Sequence, residues 1–265
     1  MIKFADVLNF GIGALSECSL NPEFESFVFL EEITGKTRGE ILADKKGVGE
    51  DGFSIFKDFL KRRLTGEPWQ YIVGKTNFLG FDIFTEKGVF IPRPETEFMT
   101  DFVIKELKDL SNPCILEIGC GTGAVSIAIA NHIKKARIIA TDISEEAIGL
   151  CGKNVHYHDL GNRIDLIRAD LLNCFADSVI FDLIISNPPY IPVDNLKKID
   201  FVVKSEPILA LDGGSGGVYF VNKILEDSAG RLKSGGGMFI EIDDSNIPHL
   251  EIPASFNYSI LNDQY

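Results

Sequence analysis

The chain has 265 residues, 45% of them hydrophobic and 25% charged, which is typical of a globular protein with one large or two unequal domains. Its 39 Asp and Glu exceed its 26 Lys and Arg and give a net charge of −13. Proteins that bind nucleic acid usually present a basic face to the phosphates, so this balance counts against a nucleic-acid ligand.

Membrane, secretory and metal-binding features are missing from the sequence. No apolar stretch approaches the about 20 residues that cross a bilayer. Residues 1–6 lack the basic region and apolar core of a signal peptide. The five cysteines are scattered without a CxxC pair, and the four histidines form no metal-binding pattern. We therefore expect a reduced, cytoplasmic protein without a disulfide framework, metal site or membrane span.

Residues 1–74 carry apolar side chains at helical spacing. The spacing is clearest in residues 4–15, 24–33 and 53–64, and Asn21-Pro22 predicts a helix cap with proline in the first turn. Short helices with one apolar face must pack on one another, so we predict a small bundle. Nothing in the bundle carries chemistry, and we expect it to hold a partner protein or to brace a second domain.

Residues 75–92 change to a strand pattern. Apolar and aromatic residues dominate positions 77–84 and 89–91, and the polar segment Glu86-Lys87-Gly88 separates them. This arrangement predicts a β-hairpin that links the two domains.

A stiff, proline-bounded segment, residues 91–97, precedes a helix predicted over residues 98–107. It either presents Arg93 and Glu95 or Glu97 to a pocket, or connects two elements and places a carboxylate at the helix N-terminus. The residues alone leave both interpretations open.

Strands and helices alternate beyond Pro113, which predicts an α/β domain with a doubly wound, mostly parallel sheet. The expected strands are residues 114–118, 136–141, 163–168 and 179–186. Ligands of such sheets bind at the carboxyl ends of the strands.

A glycine-rich loop follows the first of these strands. Its sequence is Glu117-Ile118-Gly119-Cys120-Gly121-Thr122-Gly123, and it opens a helix predicted over residues 124–131. The glycines let the backbone turn tightly and let a ligand lie against it. The spacing is not the GxGxxG of dinucleotide enzymes, and Glu117 suits a sulfonium cofactor with an amino-acid tail better than a pyrophosphate. Cys120 is interpreted as a small side chain beside the cofactor, not as a nucleophile.

Acidic residues follow the next two strands. Asp142 is placed to accept two hydrogen bonds from ribose hydroxyls, the alternative being a cap for the following helix. Asp170 and Leu171 suit an adenine ring, through one polar contact and apolar packing, unless Asp170 only caps a turn.

The fourth strand ends in Asn187-Pro188-Pro189-Tyr190. Two prolines fix φ and donate no N–H, so the turn is stiff and its carbonyls stay free to accept hydrogen bonds. Asn187 adds an amide oxygen, and the Tyr190 ring can pack on a flat face. The cluster suits a planar NH₂ group, whereas the plainer interpretation is a proline turn that ends a strand.

These motifs resemble those of class I S-adenosylmethionine-dependent methyltransferases that act on planar amino groups. A longer set is similar to the peptide chain release factor glutamine N5-methyltransferases, with motifs in the same order and spacing over residues 60–242. That set comprises residues 66–72, 90–97, 186–192, Glu206-Pro207 and residues 209–214.

The resemblance implies three parts and a chemistry. Residues 1–74 would bind the substrate protein, residues 75–92 would link, and residues 93–265 would form the methyltransferase domain. The cofactor implied is S-adenosyl-L-methionine, and its product is S-adenosyl-L-homocysteine. The substrate implied is the glutamine of a Gly-Gly-Gln loop in a release factor, bound by a monomer without nucleic acid, metal or membrane.

The family also implies roles for particular residues. The cofactor would contact Glu117, Gly119, Cys120, Gly121, Thr122, Gly123, Asp142, Asp170, Leu171 and Asn187. The substrate amide would contact Asn187, Pro188, Pro189 and Tyr190, with Arg93 and Glu95 nearby. Catalysis would fall to Asn187, Pro188 and Tyr190.

The chain departs from the family in two places. An aromatic residue often stands where this chain has Leu171. After Glu241-Ile242, residues 256–261 are the last strand candidate, so the family's final antiparallel strand is missing and we expect a short or truncated C-terminus.

Two other functions remain open. An adenine-N6 or other nucleic-acid amino methyltransferase also uses an Asn-Pro-Pro-aromatic cluster, but the acidic charge, Trp69-Gln70-Tyr71 and Arg93 count against it. A non-catalytic cofactor-binding module acting through the helical bundle has no need of Asn187 and Tyr190.

Overall fold

The computed structural model describes residues 1–199 and 203–263, and the chain divides into two compact units. One unit contains Met1–Lys75 and residues 203–205, and the other contains Thr76–Ile199 and the residues from Glu206 onward. The methyltransferase domain predicted over residues 93–265 also includes 200–202 and 264–265, which lie outside the described residues. No helix in the described ranges is long and apolar enough to cross a membrane.

The first unit is helical. Its helices are α1 (Phe4–Leu15), α2 (Pro22–Thr34), α3 (Arg38–Ala43), α4 (Glu50–Leu64) and α5 (Trp69–Val73). The predicted cap forms, because the Asn21 side chain accepts the Phe24 N–H at 3.1 Å and Pro22 is the first helical residue. Helices α3 and α5 were not predicted, since six and five residues are too few to show an apolar period.

A two-residue turn forms the hairpin, which consists of β1 (Lys75–Phe78) and β2 (Phe81–Phe84). Leu79 and Gly80 have φ of +48° and +87°, as a type I′ turn requires, and the Gly80 N–H donates to Asn77 Oδ1 at 3.0 Å. Residues 87–88 do form a turn, in which the Val89 N–H donates to the Glu86 carbonyl at 3.2 Å, but this turn does not join the hairpin strands, and the strand predicted at residues 89–91 is wrong. The hairpin turn was not predicted because Leu79, at its first central position, lies in an apolar run and leucine rarely adopts a left-handed conformation.

The second unit contains the predicted doubly wound sheet. Its strands are β3 (Cys114–Ile118), β4 (Arg137–Asp142), β5 (Ile164–Arg168), β6 (Phe181–Ser186) and β7 (Leu232–Ile240). Its helices are α6 (Pro94–Leu107), α7 (Ala124–His132), α8 (Glu145–Tyr157) and α9 (Tyr219–Ser228). Within the described residues the strands are parallel, in the order β5-β4-β3-β6-β7.

Helix α6 begins four residues earlier than predicted. Pro94 occupies its first position, where a missing N–H costs nothing, so Glu95 and Glu97 lie in the first turn. The helix therefore carries part of the segment that the sequence treats as a connector.

Apolar packing covers both faces of the sheet. On β3, the neighbouring residues Ile115 and Leu116 belong to two different buried clusters, because successive side chains of a strand point to opposite faces. A parallel sheet buried on both sides leaves its strand ends as the surface open to ligands.

The strand order reverses between β3 and β6. Strands β4 and β5 lie on one side of β3, and β6 and β7 lie on the other. Ile118 pairs with Ser186, the last residues of β3 and β6. Gly119 and Asn187 therefore leave the sheet side by side, at the point where doubly wound sheets bind their ligands.

The last predicted strand does not form. Residues 256–261 have no regular secondary structure, and Tyr258, Ile260 and Leu261 are exposed. A strand in a buried sheet needs a covered apolar face, which these residues lack.

Candidate active site

The glycine-rich loop connects β3 to α7. The N–H groups of Gly119 and Cys120 both donate to the Thr141 carbonyl, at 2.8 and 2.9 Å, which fastens the loop to β4. Gly119 is exposed with φ of +74°, and a Cβ added there would meet only the Asn187 carbonyl oxygen, at 4.0 Å. The loop thus presents open backbone beside the end of β6.

The second half of the loop packs against α8. A Cβ at Gly123 would come within 2.4 Å of Cys151 Sγ, so glycine is required there. The buried Cys120 thiol interacts with Cys151, and this hydrogen bond and burial raise the pKa of Cys120. Thr122 is also buried, and its carbonyl accepts from Asn154 Nδ2 at 2.9 Å. Cys120 and Thr122 therefore face the protein interior.

Glu117 is buried beneath the loop. Its Oε2 accepts the N–H of Ser126 at 3.1 Å and also the Ser126 hydroxyl, which ties the end of β3 to α7. Burial raises the pKa of Glu117 to about 8, although both Ser126 hydrogen bonds oppose the shift. This carboxyl group holds α7 to β3 from inside the fold, and its contact with a cofactor stays a prediction.

Asp142 ends β4 and holds two backbone segments. Its Oδ2 accepts the Gly121 N–H and its Oδ1 accepts the Ser144 N–H, both at 2.9 Å. Burial raises its pKa against these hydrogen bonds. The cap of α8 is Ser144, whose hydroxyl accepts the Ala147 N–H at 3.1 Å. Each carboxylate oxygen of Asp142 can accept a second hydrogen bond, so the group can serve ribose hydroxyls as well.

Asp170 and Leu171 follow β5 at the same edge of the sheet. Asp170 is exposed, and its carbonyl accepts the Asn173 N–H at 3.1 Å in a turn. Leu171 has φ of +49° and is half-buried against the apolar cluster that contains Leu116. An adenine contact by these two residues stays a prediction.

The Asn187 carboxamide has one end fixed. Its Nδ2 donates to the Thr96 hydroxyl of α6 at 2.8 Å. Among the described residues, no side chain or backbone group donates to its Oδ1. The half-buried side chain thus keeps a free acceptor beside the buried Pro188 and the open Gly119 loop.

A second layer braces the rest of the turn. Asn246, which is fully buried, donates to the Tyr190 carbonyl at 3.1 Å and to the Gly216 carbonyl at 3.0 Å. A Cβ at Gly213 would come within 2.8 Å of the Pro189 carbonyl oxygen, so this backbone passes directly over the turn. The glycine-rich residues 213–217 are therefore packed against the turn.

Glu241 follows β7 and completes this edge. Its N–H donates to the Ser186 carbonyl at 3.0 Å, and its Oε1 lies 3.4 Å from the Tyr190 hydroxyl. Burial raises the pKa of Glu241 to about 7, whereas a hydrogen-bonding contact from the Thr96 hydroxyl lowers it. Burial also raises the pKa of Tyr190, so its hydroxyl stays protonated.

Arg93 is half-buried and forms an ion pair. Its Nη2 contacts Glu206, whose side chain is 1% exposed and also accepts the Ile91 N–H at 3.1 Å. The guanidinium lies 4.8 Å from the centre of the Phe90 ring. Glu95 is half-buried in the first turn of α6, close enough to act electrostatically on Tyr190 and Glu241. A direct role for Arg93 or Glu95 in substrate binding stays a prediction.

Three residues of this site were not recognised in the sequence: Thr96, Glu241 and Asn246. A signal existed for Glu241, because it lies at the carboxyl end of a strand of the same sheet, as Asp142 and Asn187 do. Thr96 and Asn246 reach the site from distant segments, and no local pattern marks them.

Two family models match the chain. The Methyltransferase small domain matches residues 80–195, and the PrmC N-terminal domain matches residues 6–74. The release factor glutamine methyltransferase of Deinococcus radiodurans is 29% identical over 94% of this chain and 89% of its own length. That of Clostridium botulinum is 32% identical over 89% of this chain and 85% of its own length. Among solved structures, the ribosomal protein L11 methylase of Lactobacillus delbrueckii subsp. bulgaricus is 20% identical, covers 61% of this chain and 67% of its own, and has a TM-score of 0.44.

The similarity extends through both units, and it confirms the methyltransferase resemblance that the motifs predict. The chain belongs to the release factor glutamine methyltransferase family.

Proposed function

We propose that this protein methylates the side-chain amide nitrogen, N5, of the glutamine in the Gly-Gly-Gln loop of a peptide chain release factor. The methyl donor is S-adenosyl-L-methionine, and S-adenosyl-L-homocysteine is the product. The family membership supports the substrate class. The observation that carries the proposal is the Asn187 carboxamide, whose Nδ2 is bonded to Thr96 while Oδ1 is free beside the glycine loop.

The residues at the sheet edge where the strand order reverses, between β3 and β6, fit the proposed cofactor. Open backbone at Gly119 leaves room for a ligand to lie against the loop, and Asp142 offers acceptor positions for ribose hydroxyls. Asp170 and Leu171 are the candidates for the adenine contact. When bound, the cofactor supplies an electrophilic methyl group on a sulfonium.

An amide nitrogen is a poor nucleophile because its lone pair is delocalised into the carbonyl. In our proposal, Asn187 Oδ1 and the Pro188 carbonyl accept the two N–H groups of the glutamine amide. These acceptors aim the nitrogen and stabilise the positive charge that develops on it. The Tyr190 ring packs on the amide plane and restricts its rotation, which supplies orientation. The proton leaves after the nitrogen has been alkylated.

The remaining parts of the chain receive roles on the same footing. We propose that residues 1–74 bind the release factor, that residues 75–92 link, and that residues 93–265 perform the transfer. Arg93 and Glu206 then shape the wall beside α6, with Glu95 nearest the substrate.

A methyl-transfer assay tests the proposal. Purified protein is incubated with methyl-labelled S-adenosyl-L-methionine and either a release factor, the same factor with Gly-Gly-Ala in place of Gly-Gly-Gln, or DNA and RNA. We expect label only on the unaltered factor, at the glutamine. Label on nucleic acid would replace the proposal with an adenine-N6 or related activity, and cofactor binding without any transfer would indicate a non-catalytic module.

A further inference from the structure

The carboxylate of Glu241 is buried beside the turn formed by residues 187–190, and the proposed reaction gives it no role. Backbone pairing of Glu241 with Ser186 places it beside Asn187. Its Oε1 is 3.4 Å from the Tyr190 hydroxyl, and its Oε2 is buried and has no hydrogen-bond partner among the described residues. The Thr96 hydroxyl is close enough to interact with the carboxylate, and the same hydroxyl accepts from Asn187 Nδ2.

The directions of the hydrogen bonds among Glu241, Thr96 and Asn187 depend on one another. An ionised carboxylate only accepts, so the single hydrogen of the Thr96 hydroxyl is drawn to Glu241. The Thr96 oxygen is then left with lone pairs, and it can bond Asn187 only through Nδ2. An amide group is nearly symmetric in shape, so its neighbours decide which end faces which way.

We infer that Glu241 is a positioning residue: its ionised carboxylate, acting through Thr96, keeps Asn187 turned so that Oδ1 faces the substrate amide. This inference rests on the proposed function, because the orientation matters only where Asn187 must accept from an NH₂ group. The reversed orientation would present a second NH₂ to the substrate amide and remove the acceptor.

Protonation of Glu241 removes the constraint. A protonated carboxyl can donate to Thr96, and Thr96 can then donate to Asn187 Oδ1 after the carboxamide turns over. The pKa of Glu241 is raised to about 7 by burial and by the carboxylates of Glu95 on α6 and Asp263 near the C-terminus, whereas the nearby hydroxyls of Thr96 and Tyr190 lower it. The competent, ionised form is present above this pKa and is lost as the pH falls through it.

The first test is the pH profile of methyl transfer. For the wild type we expect kcat to decrease as the pH falls through about 7, which gives the profile an acid limb. Well below pH 7, kcat should decrease tenfold per pH unit. Glu241→Gln does not titrate, so its kcat should stay flat from pH 6 to 8.5. The exposed Glu251 on the following segment provides the control, and Glu251→Gln should keep the wild-type profile.

A pair of Thr96 variants isolates the relay. Thr96→Ser keeps the hydroxyl and should retain the acid limb. Thr96→Val keeps the shape without the hydroxyl, so its profile should have no acid limb and its kcat should be at least tenfold lower. The dissociation constant of the cofactor should stay within threefold in all these variants. A limb that survives in Glu241→Gln or Thr96→Val would overturn the inference.

A second measurement needs no turnover. The Asn187 Nδ2 resonance, assigned by its loss in Asn187→Ala, is followed by nitrogen-15 NMR between pH 5.5 and 8.5. It should titrate near pH 7 in the wild type and stay fixed in Glu241→Gln. A resonance that is stationary in the wild type would overturn the relay even if methyl transfer is observed. Titration without transfer to a release factor would support the relay and overturn the proposed function instead.

Discussion

Replacement of Asn187 by alanine separates the acceptor role from every other role of the turn. Alanine removes Oδ1, the free acceptor, and Nδ2, which bonds Thr96. The backbone carbonyl of Pro188, the Tyr190 ring and the Asn246 brace are untouched, because they depend on separate bonds. The variant should therefore lose the chemistry and keep the site's shape.

The magnitude follows from the two lost bonds. An acceptor aimed at developing charge in a half-buried site contributes about 3 kcal/mol to the transition state, or roughly 10²-fold to 10³-fold in kcat. The neutral bond to Thr96 contributes about 1 kcal/mol to stability, since water replaces it in part. The effect of the substitution on kcat should therefore be much larger than its effect on the free energy of unfolding.

Initial rates of labelled methyl transfer to the release factor measure the first quantity, and calorimetry with S-adenosyl-L-methionine measures cofactor affinity. Asn131→Ala is the matched control, because Asn131 is also half-buried and its Nδ2 donates to a backbone carbonyl at 3.1 Å, on α7 away from the turn. It should keep full kcat. The reasoning fails if Asn187→Ala turns over within threefold of the wild type, or if its cofactor affinity falls as much as its kcat.

Three further predictions test neighbouring parts of the site. Asp142→Ala should weaken cofactor binding about 10-fold to 100-fold, as expected for a lost charged hydrogen bond, and unchanged affinity in calorimetry would remove it from the ribose site. Asn246→Leu leaves the partly buried carbonyls of Tyr190 and Gly216 without this donor and should lower the free energy of unfolding in urea by about 1–3 kcal/mol; no change would show that water satisfies them. Glu117 holds its proton in the folded state up to about pH 8, so it should contribute a fall in stability of about 1.4 kcal/mol per pH unit between pH 5.5 and 7, and Glu117→Gln should make the slope shallower by that amount. Parallel slopes would refute that.

The parallel sheet was predictable because its first four strands are short, mostly apolar runs, and the central strands β3 and β6 are almost entirely buried. Strand β3 is found where it is predicted, and the ends of β4, β5 and β6 fall within two residues. The hairpin was not predictable in detail. Its turn depends on Leu79 adopting a positive φ, which leucine rarely does, so local preference pointed to the glycine at position 88 instead.

The location of the site was predictable for a similar reason. Parallel strands end at one edge, so residues after β3, β4 and β6 must meet there whatever the packing details. The states of those residues were not predictable. The sequence gives no sign that Cys120 faces Cys151, or that Arg93 is paired with Glu206, because each contact joins segments far apart in the chain.

For Glu241, the location was predictable and the proposed effect was not. Its place at the sheet edge follows from the strand before it, just as that of Asn187 follows from β6. Its effect on Asn187 requires Thr96, which α6 delivers from a distant stretch of sequence. A strand-end rule can thus nominate a titratable group for an active site, but only the packed helix determines which hydrogen bond that group controls.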